Sequence, residues 1–219
     1  MTSPLRVILV DDDPFTLTMV AAMLRARGCD VVAEAPSAAE GLRAGHEFAP
    51  DVAVLDLDLG EGPTGIDVAH RLRAEQPSIG IVVLSTYEEP RLMGYNQPPL
   101  PEGSIYLVKK TVAEPEMLET AIRMSLLGAE QHPSTAAAPA PHAASGLSDL
   151  QIDMMRLVAA GHSNAEIARR RSLSVPAVEK AVARLIKQLG LQASSAQNQR
   201  VMIAQVYYQL SGAVSARRT

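Results

Sequence analysis

The sequence predicts an α/β domain built on a five-stranded parallel sheet, followed by a small all-α domain. Three observations carry that expectation. Up to about residue 127, short β-branched apolar runs alternate with helical patterns. Residues 128–146 then read GAEQHPSTAAAPAPHAASG, with three prolines and almost no large apolar side chain. Beyond them no strand pattern remains, and four helical patterns follow.

The predicted strands are Val7–Val10, Val31–Val32, Val52–Leu55, Ile79–Leu84 and Ser104–Val108. Four of them are near-continuous apolar runs, as strands covered on both faces require. The predicted helices between and after them are Phe15–Arg27, Ala38–Glu47, Gly65–Glu75 and Pro115–Leu127. Gly28 suits the end of the first helix, and Pro115 suits a first helical turn. Repeated β-α units of this length imply a parallel sheet with helices on both faces. The Ala/Pro-rich stretch cannot bury enough surface to offset its ordering entropy, so it reads as a semi-stiff linker. The resulting boundaries are 1–128, a linker at 129–146, a helical domain at 147–211 and a flexible tail at 212–219. The later helices are Asp149–Ala160, Asn164–Arg171, Val175–Leu189 and Gln199–Leu210. Ser163 and Glu166 have capping-box spacing, Ser174 can cap the third of these helices with Pro176 in its first turn, and Gly161 and Gly190 sit at helix ends.

The chain has 219 residues, of which aromatic residues are 3% and Trp is absent, so the core must rest on aliphatic side chains and Met. The single Cys29 excludes an internal disulfide framework and a Cys-rich zinc site. Apolar runs are too short for a membrane span, and no basic-then-apolar leader is visible, which makes the cytoplasm the expected compartment. The net charge of −4 is unevenly spread. Residues 1–146 carry 10 Lys/Arg against 20 Asp/Glu, whereas residues 147–219 carry 10 against 4. That asymmetry points to a polyanion partner for the helical domain alone.

In doubly wound sheets, ligands bind beyond the carboxyl ends of the strands. The first predicted strand runs into Asp11-Asp12-Asp13, the third into Asp56 with Asp58 beyond, the fourth into Ser85 and the fifth into Lys109. Any one of these has an ordinary reading: a solvated acidic turn, a helix cap, a surface lysine. Their joint placement at one sheet edge is the signal. Clustered carboxylates repel, and a hard divalent cation with oxygen ligands relieves them. A carboxylate can accept a phosphoryl group, with a cation and a lysine stabilising the transferring charge.

The segments VILVDDDP, DVAVLDLDLG, IVVLST and IYLVKK resemble the receiver domain of two-component response regulators, a flavodoxin-like fold, from about Arg6 to Leu127. The resemblance implies that Asp56 is the phosphoacceptor. It implies Mg²⁺ ligation by Asp12, Asp56 and the Asp58 main-chain carbonyl, with Asp11 acting through water. It assigns Ser85 and Lys109 to the phosphoryl group, and Tyr106 to the aromatic that switches with Ser85. Asp13 receives no role. Leu59-Gly60 departs from the family's Met-Pro, so the loop after the acceptor is expected to differ. Residues 91–101 read RLMGYNQPPLP, whose three prolines cannot sit inside a regular helix. The family's fourth helix is therefore expected to be short, displaced or mobile, or replaced by a surface loop.

Residues 147 to about 210 resemble the LuxR-type helix-turn-helix domain of NarL/FixJ-like regulators, through LSDLQIDMMRLVAAGHSNAEIARRRSLSVPAVEKAVARLIKQLG. The resemblance makes Val175–Leu189 the recognition helix. The expected core is Leu147, Met154, Leu157, Val158, Ile167, Ala168, Leu173, Val178, Val182, Leu185, Ile186 and Leu189. Lys180, Arg184 and Lys187 form an exposed basic stripe, with Arg171 and Ser174 as further DNA-binding candidates. Gln151, Glu179 and Ala181 depart from common family residues. The resemblance implies a sensor histidine kinase as phosphoryl donor, double-stranded promoter DNA as target, a homodimer in the active state through the last helix, and no membrane association. The same folds could also serve a regulator that is not phosphorylated. As an enzyme, Asp56-x-Asp58 would be the D-x-D of a haloacid-dehalogenase-type phosphatase, but that motif follows the first core strand and here it follows the third.

Overall fold

The computed structural model describes residues 3–93, 98–111, 115–131, 146–191 and 198–211. It separates into two compact units: residues 3–86 with 98–131, and residues 87–93 with 146–211. The expected linker core and the 212–219 tail lie outside the described residues.

The first unit runs β1 (Arg6–Val10), α1 (Pro14–Ala26), β2 (Asp30–Ala35), α2 (Ala38–Phe48), β3 (Val52–Asp56), α3 (Gly65–Glu75), β4 (Gly80–Ser85), β5 (Ile105–Val108) and α4 (Pro115–Gln131). All pairings are parallel, in the order β2-β1-β3-β4-β5. This is the flavodoxin-like order, whose switch point lies between β1 and β3. Helices α1 and α4 cover one face and α2 and α3 the other. On the first face Leu9, Leu24, Val54, Leu84, Leu118 and Ile122 interlock as one buried cluster. β3 and β4 are buried at every residue, whereas β5 alternates and β2 at the edge is mostly half-exposed. β2 is longer than the two residues its sequence suggests. Its interruption by Glu34 reflects an edge position, where a charged side chain remains in water.

Local chemistry sets the element ends. Asp13 caps α1, its carboxylate accepting the amides of Phe15 and Thr16, with Pro14 in the first turn. This is the role the sequence reading left blank. Thr64 and Asp67 form a reciprocal capping box on α3. Gly65 starts α3 directly against the end of β3: a Cβ there would lie 1.9 Å from the Asp56 carbonyl oxygen.

The family's fourth helix is absent among the described residues. In its place Pro90–Leu92 form a single 3₁₀ turn, and residues 98–104 return along α3. His70 Nε2 hydrogen-bonds the Pro99 carbonyl at 2.8 Å and Arg73 donates to the Glu102 carbonyl at 2.9 Å. Leu100 and Pro101 are buried there.

The second unit contains α5 (Asp149–Ala159), α6 (Asn164–Arg171), α7 (Val175–Gln188) and α8 (Gln199–Leu210). Its core joins Ile152, Met155, Leu157, Ile167, Val178, Leu185 and Ile203. Leu173, expected inside, is exposed in the α6–α7 turn, and Ile186 and Leu189 are only partly buried. Ile152, Met155 and Ile203 supply the remaining core instead. Ser163 caps α6 by accepting from the Glu166 amide, but Glu166 pairs with Arg169 and Arg170. The full capping box stands one helix earlier, where Ser148 and Gln151 satisfy each other's amides on α5.

Gly65→Ala is expected to destabilise the first unit by about 2 kcal/mol or more, because the new methyl meets backbone rather than a movable side chain. Urea unfolding with unchanged m-value would measure it.

Candidate functional site

Four strands deliver the site. Asp11 follows β1 and Asp56 ends β3, so the two carboxylates flank the switch point. Ser85 ends β4 and pairs in register with Val108, which places Lys109 at the next position along the same edge. Val83 pairs with Tyr106, so Ser85 and Tyr106 lie on one face of neighbouring strands; both are buried.

Lys109 Nζ donates to Asp11 Oδ2 at 2.7 Å and to Asp56 Oδ2 at 3.0 Å. Asp11 Oδ1 also accepts the Asp13 amide at 3.0 Å. One oxygen from each of Asp11, Asp12 and Asp56 lies within 4.8 Å of the others. Asp11 and Asp56 are buried, while Asp12 opens to solvent. The side chain of Asp58 is half-exposed and accepts the Gly60 amide at 3.3 Å. Gly60 takes a positive φ of 78° there, so the Leu59-Gly60 departure gives the acceptor loop a tight turn.

One ammonium faces three carboxylates. Burial pushes the Asp56 carboxyl up to about 6; Lys109 opposes that shift and Asp11 reinforces it. Burial also works against the Lys109 charge, but its hydrogen bonds to Asp11 and Asp56 outweigh it and hold the ammonium above the usual lysine range. The site therefore carries surplus negative charge among oxygen donors only, the donor set a hard divalent cation prefers. Removing the Asp56 charge relieves the same repulsion.

The second unit offers a separate surface. Lys180, Arg184 and Lys187 are exposed along α7. Ser174 accepts the Ala177 amide at 3.3 Å as the α7 cap. Arg171 Nε lies 3.0 Å from Asp153 Oδ2, an ion pair without hydrogen-bond alignment, and Arg156 donates to the other oxygen at 2.8 Å. Asp153 is buried, and that burial raises its carboxyl above the usual range. Arg171 thus ties the end of α6 to α5. The sequence offered little signal for this anchor, since Asp153 reads as an ordinary polar position on an amphipathic helix.

Residues 7–122 match the family model of the response regulator receiver domain. The chain belongs to that family. Over 200 residues it is 26% identical to the transcriptional regulatory protein LiaR of Bacillus subtilis, covering 84% of this chain and 90% of that protein. Over 201 residues it is 24% identical to the oxygen regulatory protein NreC of Staphylococcus aureus, covering 85% and 92%. The methanol utilization control regulatory protein MoxX of Paracoccus denitrificans is 36% identical over 90 residues, 41% of this chain and 40% of that protein. The RcsB–DNA complex structure aligns over 97% of this chain and all of that one, at 19% identity and a TM-score of 0.54, a likeness of fold. The similarity to LiaR and NreC spans both units and leaves the phosphatase reading without support. No described helix is long and apolar enough to cross a membrane.

A carboxyl whose folded pKa lies above its unfolded value binds an extra proton in the native state between the two. Stability then falls as pH rises from about 4 to about 6 and stays lower above that window. In metal-free protein, Asp56→Asn is expected to raise stability at pH 7.5 by something on the order of 2 kcal/mol, with the gain shrinking toward pH 4. Thermal unfolding across that range checks it; a gain independent of pH would remove the charge-repulsion account.

Proposed function

We propose that this protein is a phosphorylation-switched, DNA-binding transcription regulator of the cytoplasm. The observation that carries the reading is the convergence of Asp11, Asp12 and Asp56 with Lys109 Nζ bridging two of them. Asp56 is the acceptor. Lys109 bonds both Asp11 and Asp56; Asp11 also holds the Asp13 amide at the start of α1, whereas Asp56 ends a central strand at the switch point. An oxygen of Asp56 forms a bond to phosphorus as the bond to a histidine nitrogen of the sensor kinase breaks. That nitrogen keeps the electron pair and takes up a proton.

The donor set fits Mg²⁺, which Asp12 and Asp56 would hold with the Asp58 carbonyl, Asp11 assisting through water. When bound, the ion offsets the charge spread over the phosphoryl oxygens. Lys109 supplies a second positive charge and the Ser85 hydroxyl a donor; Tyr106 follows Ser85. The modified receiver then biases a two-state equilibrium toward DNA binding.

On the second unit, α7 is the recognition helix. Lys180, Arg184 and Lys187 meet the duplex, Lys180 as the base-edge candidate. Arg171 and Ser174 support the start of that helix at the DNA surface. Two copies, joined in the active state through α8, would read two half-sites; Val201 and Tyr208 are exposed on it.

A second reading, DNA binding without phosphorylation, is favoured by the single 3₁₀ turn where the family's fourth helix belongs. Binding to the protein's own upstream DNA, with and without Mg²⁺ and beryllofluoride, separates the two. The switched reading expects at least tenfold tighter binding with the mimic; equal affinities establish the second.

Asp56→Asn is expected to abolish phosphoryl transfer from an acyl phosphate donor, read by mass. Single Ala variants of Arg184 and Lys187 should weaken all DNA sequences alike and lower the salt slope by about 1 each. Lys180→Ala should instead weaken preferred sites more than others.

A further inference from the structure

The segment after β4 packs in the second unit, although the strand itself belongs to the first. Leu92 is fully buried in the second unit's core, and Tyr87 packs partly buried against the same cluster. The Glu88 amide donates to the Leu210 carbonyl at 2.7 Å, at the last residue of α8. Tyr207 Oη donates to the Leu92 carbonyl at 3.0 Å. Arg91 donates to the Leu147 carbonyl at 3.0 Å and to Asp149 Oδ1 at 2.7 Å, both at the start of α5. Its Nε pairs with the buried Glu89. Seven residues of chain thus close over the start of α5 and the last turn of α8.

We propose that Tyr87–Met93 is a strap: it completes the core of the second unit, holds α8 and the start of α5 in the resting arrangement, and is released when phosphorylated Asp56 draws on Ser85. The proposal rests on the reading of Asp56 and Ser85 given above. Two features make the strap fit for that duty. Only Thr86 and Tyr87 lie between Ser85 and the Glu88 amide on Leu210, so a displacement of the β4 end has little slack in which to dissipate. The strap is also imperfectly satisfied. Glu89 is buried with one oxygen on Arg91, and its other oxygen lacks a hydrogen-bond partner among the described residues. A half-satisfied buried carboxylate opposes the docked state and so lowers the cost of release. The apolar anchor Leu92 favours docking, and the carboxylate favours release.

The test loosens the strap without touching the acceptor site or the basic stripe. The triple variant Glu89→Ala, Arg91→Ala, Tyr207→Phe removes both partners of the Glu89–Arg91 pair, so no buried charge is stranded. It also removes the bonds to Leu147, Asp149 and Leu92. Each lost hydrogen bond shifts the docked-to-released ratio by roughly fivefold. The variant, without any phosphoryl mimic, is expected to bind the upstream DNA at least tenfold more tightly than mimic-free wild type. A variant with wild-type affinity overturns the strap, whatever the mimic does to wild type.

Hydrogen exchange on wild type gives an independent reading that needs no variant. Mg²⁺ with beryllofluoride is expected to speed exchange in peptides covering 86–93 and 199–211. If the mimic tightens DNA binding while those peptides keep their protection, the strap fails and the phosphorylation switch stands. If mimic-loaded wild type shows neither response but the loosened variant binds tightly, the strap's hold on α5 and α8 stands, while its release by phosphorylated Asp56 fails together with the phosphorylation reading.

Discussion

A single ammonium shared between two buried carboxylates is the constraint on which the first unit turns. Lys109 reaches Asp11 and Asp56 because β1, β3 and β5 end at one sheet edge. The sheet can end there only because its residues bury on both faces, leaving the strand termini as the place where charge meets water. Three carboxylates against one lysine cannot be neutral. The surplus leaves the site unsatisfied on its own, and a bound cation offsets it; an acyl phosphate on Asp56 would add negative charge and deepen the demand for that cation. The same imbalance that costs stability makes the site responsive. Gly65 serves this constraint from outside the charge cluster: α3 begins against the Asp56 carbonyl, closer than any side chain permits.

The second unit rests on apolar packing with one charged anchor. Asp153 lies buried between Arg156 and Arg171, so the short α6 is held to α5 by a charge pair where only Ile167 and Ala168 bury apolar surface. Removing either arginine would leave a buried carboxylate short of a partner, whereas losing an exposed ion pair such as Arg170–Glu166 would matter little. That division of labour leaves the α7 cations free of a packing role. Lys180, Arg184 and Lys187 project from a helix whose Val178, Val182 and Leu185 face inward.

The strands and helices of both units were legible because their apolar periodicities are strong and their ends carry caps and glycines. The site residues were legible for a different reason: a parallel sheet brings strand ends together, so charge at three of them and a hydroxyl at a fourth had to converge. What the sequence concealed was tertiary. Leu173 looked like core, but the α6–α7 turn, with Ser172 at a left-handed φ of 51°, leaves it outward. Asp153 carried no mark in the sequence; only the fold brings Arg156 of α5 and Arg171 of α6 onto it. Asp13 was readable as a cap beside Pro14, yet its membership in the acidic trio masked that simpler role. The prolines of 91–101 announced that a helix was missing, but composition could not say which core Leu92 would enter.

Replacement of a helix by a 3₁₀ turn changes how a signal can travel. A helix packed on its own sheet can shift or rotate while remaining part of its domain, and the motion is read by whatever touches its surface. Here the residues after β4 are instead embedded in the unit that must respond, with Leu92 fully buried there. Coupling then runs through covalent chain: Ser85, Thr86, Tyr87 and the Glu88 amide on the end of α8. Such a link needs no surface complementarity between the units. It does require the strap to be held by interactions that a small displacement can break. Four hydrogen bonds, one apolar anchor and one half-paired carboxylate meet that requirement better than a large hydrophobic interface would, because directional bonds fail over a fraction of an ångström whereas apolar burial fades gradually.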